Sequence, residues 1–152
     1  MSTLMFRNVD AKPSDPLGTW PHEAFQAAIE HGLVRDWRRI AYHIDAHPFG
    51  EAAATLAEVL EYVDDSVGAF LLRDRLEKAR AAAVHDTVRR DAQELTRLVA
   101  SAGISQRELA RRIGASESRL STWLSGKQAP SAQTLAKIKL ALADVEEGRN
   151  AR

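Results

Sequence analysis

Apolar residues recur at helical spacing along almost the whole chain. Phe25, Ala28 and Ile29 line one face of a segment that opens at Thr19-Trp20-Pro21, carries Glu23 in its first turn and stops at Gly32. Trp37, Ile40, Ala41 and Ile44 predict a buried face on a second helix from about Val34 to Ala46, ended by Pro48. Leu56, Val59, Leu60 and Val63 do the same for a third, from about Glu51 to Val63. Ser66 then opens a run to Ala102 with no proline or glycine after Gly68. Its apolar positions are Phe70, Leu71, Leu76, Val84, Val88, Ala92, Leu95, Val99 and Ala102. The last six recur every 3.6 residues on average, a globular period rather than a coiled-coil seam. The spacing predicts a helical connector with a bend at Ala83–Asp86, where Asp86 can cap a fresh start.

The remainder divides into shorter pieces. Ser105 is a predicted N-cap with Glu108 at capping-box spacing, and Leu109, Ala110 and Ile113 form an apolar stripe that Gly114 ends. Ser116 reopens the helix, and Leu120, Trp123 and Leu124 give it a buried side. Ser131 caps a last helix through about Glu146, with Leu135, Ile138, Leu142 and Val145 inward, and Gly148 to Arg152 reads as a frayed tail. Residues 1–18, with Pro13, Pro16 and Gly18, read as an extended arm packed by Leu4, Phe6 and Val9. Alternating β-branched runs and hairpin dipeptides are absent, so the predicted class is all-α. The expected division is an arm at 1–18, a helical domain at 19–85 and a second domain at 86–148.

Composition narrows the chemistry. The chain has no cysteine, which excludes disulfides, thiolate catalysis and cysteine-ligated zinc. No apolar run approaches the ~20 residues that span a bilayer, and no secretory signal is visible, so a cytoplasmic location is expected. Net charge is zero, yet its distribution is lopsided. Residues 103–140 carry seven Lys/Arg against two acids, a net +5, whereas residues 1–77 carry seven against thirteen, a net −6. A basic module joined to an acidic one is the footprint of a phosphate-facing domain with a separate partner half.

The basic module holds the most informative run, GISQRELARRIGASESRLSTWLSGKQAPS from Gly103 to Ser131. With Leu120, Trp123 and Leu124 turned inward, Glu117, Ser118, Ser121 and Thr122 share the outer face. Compact hydrogen-bonding side chains on a short helix suit a DNA major groove. The run resembles the helix-turn-helix of the XRE and phage-repressor (Cro/CI-type) transcription regulators. Gln106, Ala110, Gly114, Leu120 and Trp123 carry the likeness, with Ser125-Gly126-Lys127 and Pro130-Ser131 in the loop that follows. It covers residues 88 to 143, under half the chain.

The resemblance implies a lambda-repressor-like domain at the C-terminus, preceded by a small helical domain and a long connecting helix. It implies double-stranded DNA as partner, a homodimer, and a repressor acting at the nucleoid. Under it, Glu117, Ser118, Ser121 and Thr122 read bases, with Ser116 at the head of the same helix. Gln106 and Arg107 meet the phosphate backbone, aided by a helix N-terminus. Arg119 suits a phosphate or a guanine, and Lys127 with the amides of Ser125 and Gly126 resembles a phosphate clamp. Arg111 and Arg112 fit a solvated face as well as a DNA-facing one.

The N-terminal half carries less chemistry. His43 and His47 lie four apart with Asp45 between, and His22 and His31 are near in sequence, a spacing that can hold zinc. No His-Glu-x-x-His pattern, glycine-rich phosphate loop or nucleophile elbow accompanies them, so no metal, no cofactor and no enzymatic activity is expected. The alternative to a repressor is an antitoxin-type module whose acidic N-terminal domain neutralises a partner protein while the helix-turn-helix autoregulates.

Overall fold

In the computed structural model of the chain, which describes residues 3–151, every regular element is a helix. A short 3-10 turn at Leu17–Thr19 precedes α1 (His22–His31), α2 (Val34–Ala46), α3 (Glu51–Leu60), α4 (Val67–Ala102), α5 (Gln106–Ile113), α6 (Glu117–Leu124) and α7 (Ala132–Asn150). The chain divides into two compact units, Met1–Ala83 and Val84–Arg152.

In the first unit, Phe25 and Ile29 of α1, Ile40 and Ile44 of α2, Leu56 and Val59 of α3 and Leu72 of α4 form a fully buried core. Residues 3–18 are irregular but lie on it. Leu4 and Leu17 are buried, and Trp20 sits between Phe6 and Phe25, ring centroids 5.1 and 5.2 Å away. Arg39 stacks on Trp20 at 5.4 Å and donates to the carbonyl oxygens of Pro13 and Asp15. Burial of a large aromatic ring with its polar edge satisfied holds this irregular segment down. Trp37, expected in the core, is only half-buried: its indole N–H donates to Ala28 O at 2.9 Å, while its ring lies over Gly68. A Cβ at Gly68 would come within 2.7 Å of that ring.

Helix α4 is assigned without interruption from Val67 to Ala102, so Asp86 does not cap a fresh start. Ala79 and Ala81 to Ala83 are strong helix formers, and nothing in the stretch removes a backbone hydrogen bond. Ser66 caps it, accepting from Ala69 N at 3.1 Å. Val84 is exposed, contrary to its place in the packed period, and Phe70 and Leu71 are exposed as well. Helix α3 ends at Leu60, with Val63 reaching the core from the turn beyond.

The second unit has its own core. Leu95, Val99 and Ala102 of α4, Leu109 and Ala110 of α5, Leu120, Trp123 and Leu124 of α6, and Ile138, Ala141 and Leu142 of α7 are buried together. Gly148 does not end α7, which continues to Asn150. The extra turn puts the Arg149 guanidinium on the C-terminal carbonyls of α4, an anchorage that the local sequence does not show.

Candidate nucleic-acid interface

Two serine caps and one glycine fix the relation between α5 and α6. Ser105 Oγ accepts from Glu108 N and Ser116 Oγ from Arg119 N, each at 3.1 Å, so both helices start where a side chain satisfies an orphan amide. Gly114 takes a left-handed conformation, φ 72°, that side chains resist. The next amide, Ala115 N, closes back on Ala110 O at 3.0 Å. Helix α6 therefore leaves α5 at a defined angle. Leu120 is fully buried, Trp123 and Leu124 nearly so, and the period of the helix then turns Glu117, Ser118 and Ser121 to solvent.

Of the four residues expected on the outer face of α6, Glu117, Ser118 and Ser121 are exposed and Thr122 is not. Thr122 is half-buried and its hydroxyl donates to Ser118 O at 3.1 Å within the helix. Its O–H is therefore already spent within the helix. Ser116 is exposed, but its oxygen serves the cap.

The cations separate into tied and untied. Arg111 and Arg112 both bind the Glu108 carboxylate, at 2.6 to 3.1 Å. The hydrogen bond from Arg111, then that from Arg112, holds the Glu108 carboxyl down to about 2. The carboxylate is thus drawn along the helix to these arginines, where a closed capping box would return it to the N-cap. Gln106, Arg107 and Lys127 are exposed. Arg119 lies over the Trp123 ring, 5.9 Å from its centroid, at the edge of the outer face. Among the described residues neither Arg107, Arg119 nor Lys127 has an ion-pair partner.

The loop after α6 corrects one expectation. Ser125 N bonds Ser121 O at 3.0 Å and Gly126 N bonds Trp123 O at 3.2 Å, so both amides close the helix end and neither points at a ligand. The Ser125 hydroxyl also turns inward, donating to Thr122 O at 2.9 Å. Lys127 is left as the cationic group of that turn. Gly126, at φ 78°, seats the turn against α4, where a Cβ would stand 3.4 Å from Ala92 Cβ and from Arg89 Cα. Thr96 Oγ1 adds a contact to Leu124 O at 3.1 Å. Sequence reasoning missed Thr96 and Arg89, because neither lies within the recognisable run.

The histidines are not gathered into one cluster. The rings of His43 and His47 are 5.0 Å apart, and burial, then His47 and Arg39, lowers the His43 pKa. His22 pairs instead with Glu58 at 2.5 Å. Among the described residues no group of three or more His, Cys, Asp or Glu is placed to hold a metal ion, and no helix is long and apolar enough to cross a membrane.

Residues 95–147 match the family model described as Helix-turn-helix. Comparison of the chain with curated proteins and with solved structures returned no match. The matched segment begins in α4, contains α5 and α6 whole and ends in α7. Among the described residues every regular element is helical, and residues 95–147 form an XRE-type helix-turn-helix domain, the domain of DNA-binding regulators.

Proposed function

We propose that this protein is a sequence-specific transcriptional regulator, a dimeric autorepressor that acts on the nucleoid in the cytoplasm and has no catalytic role. One observation carries the reading: α6 buries Leu120, Trp123 and Leu124 and leaves Glu117, Ser118 and Ser121 open to solvent. Glu117 accepts from a cytosine amine, the serine hydroxyls serve either base type, and the Thr122 methyl meets a thymine methyl. Gln106, Arg107, Arg119 and Lys127 position the helix by contacts to phosphate. Small hydroxyls discriminate weakly, which leaves part of the specificity to DNA shape.

Dimerisation follows from the same weakness, since one eight-residue helix spans only a few base pairs. The N-terminal unit supports a self-pairing face. Val34, Trp37, Ala41 and Leu71 line an apolar groove beside the exposed Val67 and Phe70, with Arg38 and Asp74 on its rim. Asp74 is already paired with Lys78 at 3.0 Å, so it is the apolar lining that a second copy, turned about a two-fold, would cover. The antitoxin-type alternative draws on another patch: Tyr62 is more than half exposed, and after burial the charges of Glu23, Glu58 and Glu30 raise its pKa. An acidic surface with an open aromatic ring suits a basic protein partner.

Selection of bound duplexes from a random pool tests the proposal. The expected result is a repeated half-site with centres about one helical turn, roughly 34 Å, apart. Failure to retain any duplex at low ionic strength rejects it. Co-purification with a basic partner and no DNA retention favours the alternative.

A further inference from the structure

We infer that Arg89, on α4 ahead of the segment matched by the family, is a further phosphate-contacting residue that pairs with Lys127 to clamp the DNA backbone beside α6. The inference rests on the DNA-binding reading above. It starts from the turn after α6, where the amides of Ser125 and Gly126 are spent on Ser121 O and Trp123 O. A phosphate reaching that turn must be held by side chains.

Arg89 stands where such a side chain is needed. On α4 the positions Ala92, Leu95 and Val99 are buried and Thr96 bonds the end of α6. Arg89 precedes Ala92 by three residues and Thr96 by seven, so helical period puts it on the same stripe. Gly126 makes the contact direct: a Cβ there would lie 3.4 Å from Arg89 Cα and 3.5 Å from Arg89 Cγ. The stem of Arg89 therefore leaves α4 alongside the residue that precedes Lys127. Both side chains are exposed, and among the described residues neither makes an ion pair. Arg111 and Arg112, by contrast, are tied to Glu108.

Two cations without ion-pair partners, one on α4 and one on the turn packed against it, suit a single acceptor of concentrated negative charge. A guanidinium offers a planar fork that meets two phosphate oxygens at once, and the ammonium adds a point charge. Such contacts carry no base information, so Arg89 sets affinity and register and leaves sequence preference alone.

The test is a salt titration of duplex binding, using the site recovered by selection and the full chain. Arg89→Ala is expected to weaken binding about three- to tenfold near 0.1 M salt and to lower the log–log slope by about one. Arg89→Lys should restore most of the slope, and selection with Arg89→Ala should return the wild-type site. Arg90→Ala, one residue on and about 100° around the helix, should leave affinity and slope unmoved. Equal losses in both alanine variants would reduce the effect to net charge and overturn the assignment. So would an Arg89→Ala slope equal to that of wild type. Wild-type protein that binds no duplex overturns the DNA-binding reading and takes this inference with it.

Discussion

The guanidinium of Arg149 donates to the carbonyl oxygens of Ser101 and Ala102, at 3.2 and 3.3 Å, closing the end of α4 with a side chain from the last turn of α7. Helix C-termini leave carbonyls without intrahelical partners, and a cation there also meets the negative end of the helix dipole. Arg149→Ala should destabilise the C-terminal unit by ~1 kcal/mol and fray α7 beyond Val145. Thermal unfolding with helicity measured by circular dichroism checks it; unchanged melting would make the contact decorative.

Glu108 links stability to pH in one direction. Its folded-state pKa is depressed from 4.5 to about 2, chiefly by the hydrogen bonds from Arg111 and Arg112. The stabilisation is present above pH 4.5 and is lost as pH falls from there towards 2. Glu108→Gln should flatten that part of the acid limb in a melting series from pH 6 to 2. It should also release two arginines and steepen the salt dependence of DNA binding at neutral pH. Parallel acid limbs in the two proteins would dismiss the linkage.

The outer face of α6 separates free hydroxyls from spent ones. Ser118 and Ser121 are exposed, whereas the Thr122 hydroxyl bonds Ser118 O. Ser118→Ala or Ser121→Ala should change preference at one base pair by ~1–3 kcal/mol. Thr122→Val keeps the branched shape and removes only the spent hydroxyl, and its effect should be smaller. Selection from a random pool with each variant decides; a larger change from Thr122→Val would reverse these roles.

Elements with local causes were the legible ones. Ser105, Ser116 and Ser131 cap their helices because the partner amide lies three residues on, within the same short segment. Leu120, Trp123 and Leu124 follow from period alone. What escaped depends on contacts remote in sequence. Arg149 reaching Ser101, Thr96 reaching Leu124 and Gly126 resting on Arg89 leave no spacing to read. Asp86 shows the opposite case: it can cap a helix but starts none inside α4, where alanines favour continuation. The loop amides look open to a ligand in the sequence because no spacing shows that Ser121 O and Trp123 O already claim them.

Gly126 combines a left-handed backbone with close packing, so it should resist substitution more than its exposed neighbours. At φ 78° an added Cβ is strained, and it would press on Ala92 and Arg89 at 3.4 Å. Gly126→Ala should cost ~1–2 kcal/mol of stability, whereas Gln128→Ala, on the exposed side of the same loop, should cost under about 0.5. Denaturant melts of the two variants check it, and equal midpoints would deny the seat on α4 any energetic weight.

The apolar strip of the N-terminal unit gives the sharpest test of a dimer. Phe70 is 67% exposed and precedes Leu71 in the groove wall, so Phe70→Glu removes no core contact and should leave the melting temperature near wild type. Placed in a two-fold interface, it sets two carboxylates near each other in an apolar setting, which opposes pairing. Sedimentation should then report a monomer where wild type is a dimer. Affinity for a single half-site should persist while the advantage of two correctly spaced half-sites disappears, because the two helices no longer bind as a unit. A dimeric Phe70→Glu variant that still prefers paired half-sites would move the self-pairing face elsewhere.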